Sequence, residues 1–508
     1  MFKSIGSTWI LNLFQIVVLM RLTPFVLHTL GNDQNGLWIT IVSLTGFLSL
    51  LILGIPMASV RYIAEAVAQK DTRRTNTAIS TCLGICAGLG VGALVVGALL
   101  YPFFDAEYVA HATTPAMADA ARLAFLLVVA QVSLGFVMRL PYGIFDAHHD
   151  FVVRNGIMAG ELVLRFGLTL ALLHWNASLV MLAWVQIGCM VAEFTVALLV
   201  IRKRYPGVRF GLAHFDRALV RSILSFSIFA MLLNVGTLLA FRSDALVIGS
   251  FLGAAQVTEF DMGNKFFDPL TNLLIAVAGV VMPMATRLKT TGDLRELRDV
   301  FLKWSKISLS IVLLIGLYLL MLGPEFLGWW VGPEFAQPSG RVLQILMVSF
   351  LVYLPVRGVA LPILMGLGKP AFPALALLGM GIVNLIASLV LVRGYGIAGV
   401  AVGTAVPNVL FALAVLWRAC RELDLPIREY ARYVIARPLI GALVPLAFLA
   451  TLKWSFDVQG FVALVLAGIG MVTTFALCWV FFVYRGDPYM DLALRLGVRG
   501  RAVPRNTP

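Results

Sequence analysis

The chain has 508 residues, of which 60% are hydrophobic and 13% charged, with a formal net charge of +13. Soluble domains carry about 25% charged residues, so this composition excludes a soluble fold. The apolar runs are about 20 residues long and show little alternation, which predicts spanning helices and excludes a β-barrel. The basic residues fall in loops between the runs, so the positive charge does not indicate nucleic-acid binding.

Hydropathy predicts about fourteen spanning helices and therefore an all-α integral membrane protein. Most of the 39 Lys and Arg residues fall in alternate loops, which the positive-inside rule assigns to the cytoplasm. This bias predicts a multi-pass membrane protein with both termini in the cytoplasm. The first apolar run contains Arg21 and no small-residue cleavage site follows it, so we expect it to be retained as a span.

Two apolar spans in the chain share one pattern, in which the span contains an arginine and ends with the same short motif. The first carries Arg21 and closes with Leu-Gly-x-x-Gln plus an aromatic residue at 30–38. The second carries Arg242 and closes in the same way at 252–260. The two arginines are 221 positions apart and the two closing motifs 222. The common offset predicts a duplicated architecture.

Other features repeat at nearly the same offset. Pro-Met-Ala ends spans at 56–58 and 283–285, and prolines end spans at 141 and 362. Six spans separate the copies, so the chain is predicted to hold two parallel six-helix repeats that form two lobes, followed by two C-terminal helices. The predicted limits are a lobe at 1–204, a cytoplasmic linker at 205–221, a lobe at 222–421, and the extra helices with a basic tail at 422–508.

Several motifs resemble those of a known family. They are LGNDQNGLW at 30–38, GIP at 54–56, RYIA at 61–64, DALVIG at 244–249 and FLG at 251–253. Together with the topology they resemble the polysaccharide biosynthesis flippases, which act on O-antigen and exopolysaccharide precursors and belong to the multidrug/oligosaccharidyl-lipid/polysaccharide (MOP) superfamily.

The resemblance implies a V-shaped pair of lobes around a central cavity. It implies alternating access that carries a polyprenyl-pyrophosphate-linked oligosaccharide from the inner to the outer leaflet. The implied partners are that lipid-linked oligosaccharide, membrane lipid, and a polysaccharide polymerase with other export components. No cofactor and no nucleic acid is expected.

The two span arginines are the first candidates for a substrate site. A charge in a spanning helix costs about 2.5 to 3.5 kcal/mol, so it normally faces a polar interior. Arg21 lies about 12 residues into its helix, or roughly 18 Å, which is past the membrane surface. Two facing guanidinium groups suit a pyrophosphate or an acidic sugar. The alternative is that Arg242 pairs with Asp244 or a neighbouring helix.

Four further charged residues are candidates for the same cavity. Asp244 could titrate, pair, or mark the external rim. Lys265 and Asp268 are spaced for an ion pair, which is the alternative to cavity contact. Arg357 lies beside Pro355 and is expected to line the cavity. Polar side chains within spans either hold sugar hydroxyls or pack between helices; these are Asn234, Asn264, Gln131, Gln186, Asn384 and Asn408.

Three charged residues in the fifth and sixth spans suggest an ion pair or proton coupling. Glu161 and Arg165 are four residues apart and can neutralise each other. Glu193 is a lone carboxylate that could carry a proton or pair with Arg165. The sequence shows no nucleophile triad, no phosphate-binding glycine loop and no cysteine–histidine cluster, so neither an enzyme nor a metal site is expected.

Three alternative functions remain at this stage. A drug or cation exporter of the same superfamily predicts lone carboxylates within the spans and few arginines. A membrane glycan polymerase or ligase predicts a large external catalytic loop, whereas the longest external segment is about 20 residues. A peptidoglycan lipid-precursor flippase shares the fold and the basic cavity, and the sequence separates it poorly from the main interpretation.

Overall fold

A computed structural model describes residues 2–52, 55–110, 114–225, 228–456 and 458–490 of the chain. These ranges contain helices and loops but no β-strand, which confirms the predicted all-α fold. The helices before the middle of the chain are α1 (Phe2–Gly46), α2 (Ile55–Ala68), α3 (Thr72–Phe104), α4 (Pro115–Met138), α5 (Leu140–Ala147), α6 (Phe151–Trp175), α7 (Leu179–Arg204), α8 (Arg217–Ser225), α9 (Ile228–Phe241) and α10 (Ser243–Phe251).

The remaining helices are α11 (Ala254–Asn264), α12 (Phe267–Thr291), α13 (Leu294–Trp330), α14 (Pro338–Gly358), α15 (Ala360–Gly366), α16 (Ala371–Glu422), α17 (Ile427–Tyr430), α18 (Arg437–Ser455) and α19 (Gly460–Cys478). Short 3₁₀ turns lie at Phe47–Ile52 and Pro333–Phe335, and π-helical turns lie at Asp105–Val109, Ala431–Ala436 and Trp479–Val483.

Twelve helical segments within these ranges are long and apolar enough to cross a membrane. Two of them, Ile10–Ile52 with 43 residues and Ala371–Glu422 with 52, are about twice the length that one crossing needs. Each is broken near its middle by a glycine with non-helical torsions, Gly31 in one and Gly396 in the other. Counting each as two crossings accounts for the fourteen predicted spans.

The glycine of the repeated Leu-Gly-x-x-Gln motif has the same role in both copies. Gly31 has φ 77° and Gly253 has φ 98°, a region that residues with a Cβ rarely adopt. Both glycines therefore turn the chain out of one helix and into the next. A substitution at either position strains the backbone even though an added Cβ at Gly31 meets no neighbouring atom within 4 Å.

Helix order repeats along the chain as the sequence predicts. Helices α3 and α13 start 222 residues apart, α4 and α14 start 223 apart, and α5 and α15 start 220 apart. Helix α6 and the first half of α16 also start 220 apart. The similar spacing of four successive elements matches the offset of the sequence motifs.

Side-chain caps fix the starts of several of these helices. The carboxylate of Asp71 accepts a hydrogen bond from the Arg74 backbone at the start of α3. Asp293 does the same for α13, and the hydroxyl of Thr114 caps α4. Such caps satisfy backbone N–H groups that a helix cannot pair internally.

By packing, the chain divides into two compact units. The first contains the described residues up to Asp261 together with Leu377–Val400. The second contains Met262–Ala376 and the described residues from Ala401 onward. The six-helix lobes at 1–204 and 222–421 stay a prediction.

In the first unit, α9 and α10 pack closely on Leu377–Val400. An added Cβ at Gly236 would lie 2.7 Å from the backbone of Leu377, so only glycine allows this approach. The Asn384 amide donates to the Ala240 carbonyl over 3.1 Å, and the Ser388 hydroxyl donates to Asp244 over 3.4 Å. These contacts hold the end of α9 and the start of α10 in place.

In the second unit, a buried charge pair joins α13 to the last helices. The Lys306 side chain is 0% exposed, and its Nζ lies 2.6 Å from Oδ2 of Asp487, which is also 0% exposed. The hydroxyl of Tyr433 donates to the same carboxylate over 2.8 Å. The Lys306 ammonium also lies 4.6 and 4.9 Å from the ring centres of Tyr433 and Tyr484. We call these four residues the Lys306 cluster.

Candidate functional site

The first unit contains a cavity of about 660 Å³ with a mixed apolar and polar wall. Residues of α1, α2, the 3₁₀ turn between them, and α3 to α7 contribute, and α9 adds Leu238. The polar and charged lining residues are Thr45, Ser49, Ser59, Gln131, Arg139, Tyr142, Asp146, Arg165, Gln186 and Arg242. Three guanidinium groups thus line one cavity inside an apolar bundle. Gln131 and Gln186, two of the predicted polar positions, lie in the same wall.

Arg242 lies in the cavity wall at a break in its spanning segment. Helix α9 ends at Phe241 and α10 begins at Ser243, so Arg242 is the junction residue. It forms no ion pair within the described ranges, whereas Asp244 is buried and faces Ser388. A break in a spanning helix is stable where it faces a cavity, because polar groups there are not exposed to lipid.

Arg165 lines the same cavity and is already paired with a carboxylate. Its guanidinium lies 2.5 Å from Glu161, and its Nε donates to the same oxygen over 2.7 Å. This is the i, i+4 pair that the sequence predicts. Arg165 therefore lines the cavity as one partner of an ion pair, with 44% of its side chain exposed.

Arg139 also lines the cavity, although it was not among the residues predicted from the sequence. It is the junction between α4 and α5, it is exposed to the cavity, and it makes no ion pair with a described residue. At the end of an apolar run an arginine resembles an ordinary flanking charge. The signal that could have identified it is Pro141 with Gly143, which marks a broken helix rather than a loop.

Two carboxylates at the cavity are engaged by neighbours. Asp146 accepts a hydrogen bond over 2.6 Å from Arg154, which forms an ion pair with it. The hydroxyl of Tyr142, a wall residue, donates to Glu193 on α7. Glu193 therefore binds Tyr142, and the structure places no ion pair between Glu193 and Arg165.

Arg21 does not line this cavity. It lies in the first half of α1 with its side chain exposed, and it forms no ion pair with a described residue. The structure thus places Arg242 in the wall with Arg139 and Arg165 and leaves Arg21 outside that wall. A role for Arg21 in binding substrate stays a prediction.

The remaining candidates lie in the second unit. Lys265 is half-buried at the break between α11 and α12, and Asp268 is exposed in the first turn of α12. Arg357 is half-buried near the end of α14, where its guanidinium donates to the Tyr353 hydroxyl over 2.6 Å. Their predicted contact with substrate stays a prediction.

A charged cluster outside the spanning segments lies in the loop between α5 and α6. Asp150 accepts hydrogen bonds from Arg204 over 2.9 and 3.0 Å and another from the Tyr205 hydroxyl. Burial by itself raises the pKa of Asp150, but the bonds from Tyr205 and Arg204 outweigh it and lower the pKa. The neighbouring His148 stacks on Tyr205, and the described residues include no group of three or more possible metal ligands.

Chemically, this wall suits an anion with several oxygens. Guanidinium groups bind phosphate oxygens in pairs, and they stay charged even when partly buried. Arg139 and Arg242 bring positive charge that no carboxylate among the described residues pairs with, while the amides and hydroxyls of the wall can bond sugar hydroxyls.

Membrane-length helices, a repeated order of helices and a cavity lined by arginines describe a multi-pass membrane protein of a fold that is also found in solved transporters. The fold is similar to the solved structure titled lipid II flippase MurJ, inward closed conformation, with a TM-score of 0.66, 14% identity, and coverage of 94% of this chain and 97% of that one. It is also similar to an inward-facing multidrug resistance MATE family transporter, with a TM-score of 0.63, 17% identity, and coverage of 80% and 98%. At these identities the likeness shows the fold.

The family follows from the sequence profile of the polysaccharide biosynthesis proteins, which matches residues 2–289. The chain belongs to that family. It is 22% identical over 494 residues to the uncharacterized membrane protein EpsK of Bacillus subtilis, covering 93% of this chain and 92% of EpsK. It is 23% identical over 185 residues to the probable low-salt glycan biosynthesis flippase Agl15 of Haloferax volcanii, covering 36% and 39%.

Proposed function

We propose that the protein is a flippase for a lipid-linked oligosaccharide. It would move a polyprenyl-pyrophosphate-linked glycan from the cytoplasmic to the outer leaflet of a bacterial inner membrane, by alternating access, for cell-surface polysaccharide synthesis. The observation that carries the proposal is the cavity wall with Arg139, Arg165 and Arg242. Family membership and the glycan-flippase name of the Agl15 relative support it.

The charge of each cavity residue determines which part of the substrate it binds. Arg139 and Arg242, which form no ion pair in the part of the chain that the structure describes, hold the pyrophosphate, while Arg165 with Glu161 adds hydrogen bonds at less net charge. Gln131 and the other uncharged polar residues of the wall receive the sugars, and the lipid tail stays in the bilayer. A membrane potential that is negative inside favours outward movement of an anion by about 2.3 kcal/mol per charge per 100 mV.

The test uses a strain in which the gene is deleted and replaced by variants. Lipid-linked glycans are extracted and identified by mass spectrometry, and their leaflet is found with a membrane-impermeant reagent. Deletion should trap a completed repeat unit on the cytoplasmic side. Arg242→Gln and Arg139→Gln should each reproduce much of that defect at normal expression, whereas the conservative lysine variants should be partly active.

A matched control is Arg73→Gln, because Arg73 is an exposed arginine of α3 outside the cavity wall. It should flip normally. Arg21→Gln in the same strain tests the predicted role of the repeat arginine. Full flipping by both Arg139→Gln and Arg242→Gln would show that the cavity does not bind the headgroup.

A second candidate is a flippase for a peptidoglycan lipid precursor. It is favoured by the fold match to the lipid II flippase, which extends over 94% of this chain, against 80% for the MATE transporter. The same extraction distinguishes the two functions. Accumulation of the peptidoglycan precursor points to this second function, and an unchanged lipid-linked pool with altered drug sensitivity points to an exporter.

A further inference from the structure

The two copies of the repeated motif contact each other directly. The Asn35 amide donates to the Thr258 hydroxyl over 3.2 Å, and that hydroxyl donates to the Asn32 carbonyl over 2.7 Å. At Gly36 an added Cβ would lie 1.7 Å from the carbonyl oxygen of Ala254, so the two backbones touch. Both segments belong to the first unit and both follow a positive-φ glycine.

Tyr108 adds a third element to this contact. It lies in the π-helical turn after α3, and its hydroxyl donates to the Leu246 carbonyl over 3.3 Å. The Ser250 hydroxyl donates to the Tyr108 hydroxyl over 3.2 Å. An added Cβ at Gly249 would lie 3.0 Å from the Tyr108 ring, which therefore packs flat on the α10 backbone. We call Asn35, Gly36, Tyr108, Gly249, Ala254 and Thr258 the seal.

The seal lies directly beyond the cavity on the same helices. On α1, Leu37 and Thr40 border a small pocket of about 160 Å³ in the seal, and Val42 and Thr45 border the large cavity. The segment with Arg242 in the cavity wall reaches Gly249 of the small pocket seven residues later, a rise of about 10 Å. The chain therefore runs from seal to cavity along α1 and from cavity to seal between Arg242 and Gly249, and in both segments the seal lies beyond one end of the cavity.

The distribution of basic residues predicts which side of the membrane the seal faces. The basic segments of the chain fall on the other ends of these spans, and the positive-inside rule then predicts that the motif faces outward. The wall residues Arg139 and Asp146 lie near the ends of α4 and α5 that are predicted to face the cytoplasm. The seal therefore lies on the predicted outer side of the cavity, away from those ends.

We infer that the repeated Leu-Gly-x-x-Gln motif forms the outer seal of the transport cavity, which parts at the Asn35–Thr258 and Gly36–Ala254 contacts when substrate leaves. The inference rests on the proposed function only in taking the cavity as the substrate path. The glycines of the motif end one helix and let the next begin at the contact, and the small residues at Gly36 and Ala254 allow the close backbone approach.

The main test is a cross-link across the seal. The five free cysteines are first replaced, and Asn35→Cys and Thr258→Cys are introduced singly and together. A short bifunctional thiol reagent should join the pair in membranes and stop transport, and a reductant should restore it. The single variants treated with the same reagent should keep transport. Failure of the pair to cross-link, or transport at the uncross-linked rate after cross-linking, overturns the inference.

A second test needs no transport substrate, so it separates the seal from the proposed function. A single cysteine is placed in the cavity wall as Gln186→Cys and labelled from outside with a membrane-impermeant thiol reagent. Gly36→Ala should raise the labelling rate at least several-fold, because its Cβ cannot fit against Ala254. The control Gly88→Ala meets no atom within 4 Å and should leave the rate unchanged. Equal labelling of the two alanine variants contradicts the seal.

Discussion

Removing the acidic partner of the Lys306 cluster should strongly destabilise the protein. In Asp487→Ala, the Lys306 ammonium stays buried without a counter-charge, and the Tyr433 hydroxyl loses its acceptor. The carboxylate also accepts from the backbone N–H groups of Tyr489 and Met490 over 3.0 and 3.1 Å. Removing one partner of a buried ion pair costs about 3 to 5 kcal/mol, and this site is at the upper end because four donors lose one acceptor.

Replacing both partners should recover part of that loss. Lys306→Met with Asp487→Leu leaves no buried charge, but the Tyr433 hydroxyl and the backbone N–H groups of Tyr489 and Met490 still lose their acceptor, so its free energy of unfolding should lie between those of Asp487→Ala and the native protein. The control Asp424→Asn breaks a pair with Arg298 in which the carboxylate is 94% exposed, and should change stability by less than about 1 kcal/mol.

The assay is unfolding in mixed micelles by a denaturing detergent. A thiol-reactive fluorophore reports the exposure of the cysteines, of which Cys82 and Cys420 are buried. The reasoning is refuted if Asp487→Ala unfolds at the native detergent fraction, or if the double variant is less stable than Asp487→Ala.

Three further predictions concern other polar contacts. Tyr142→Phe should lower the free energy of unfolding by about 1.5 to 3 kcal/mol, because it removes a hydrogen bond to the Glu193 carboxylate. In a protein that already carries Glu193→Gln, the same change should cost less. An equal cost in the two backgrounds would contradict the contact. Glu161→Gln leaves Arg165 unpaired and should tighten binding of a pyrophosphate lipid to the purified protein several-fold in a fluorescence titration; weaker binding would count against a headgroup role for Arg165. Asp150→Asn should lower stability at pH 7 by less than about 1 kcal/mol. Since the folded pKa of Asp150 is lowered, this difference should persist above about pH 4 and vanish as the pH falls through the folded value, as followed by circular dichroism; a difference that grows at low pH would contradict the assigned bonds.

Much of the fold could be predicted because the hydropathy of a span and the charge of its flanking loops are properties of the local sequence. A span needs about 20 apolar residues whatever its neighbours are, so fourteen crossings were visible in the sequence. The repeat offset was visible for the same reason, since each copy of the motif needs a glycine at a positive-φ position. The breaks inside spans were not predicted: Pro141 with Gly143 signals the one at Arg139, but that Arg139 and Arg242 face a common cavity depends on tertiary packing.

In the candidate site, contacts that follow from helical spacing could be predicted from the sequence, and contacts between distant segments could not. The pairing of Glu161 with Arg165 follows from helical spacing alone and was predicted. The Tyr142 contact of Glu193 joins residues 51 positions apart, and no local pattern reveals it. The sequence symmetry between Arg21 and Arg242 predicts that they face each other across the axis of the repeat, and this stays a prediction. That Arg242 shares a cavity wall with Arg139 and Arg165 follows from the packing of distant helices, which no local pattern reveals.

The Lys306 cluster also sets an order of events during synthesis. Lys306 enters the membrane with α13, but its counter-charge lies 181 residues further along the chain. At about 5 to 20 residues per second, the ribosome needs roughly 10 to 35 seconds to reach Asp487. Throughout that interval a lysine destined for the interior has no partner, and the nascent second unit must keep it near water or in the insertion machinery. Final closure of the unit therefore waits for the last turn after α19, so a prematurely terminated chain displays an unpaired charge by which cellular quality control can distinguish it from the finished protein.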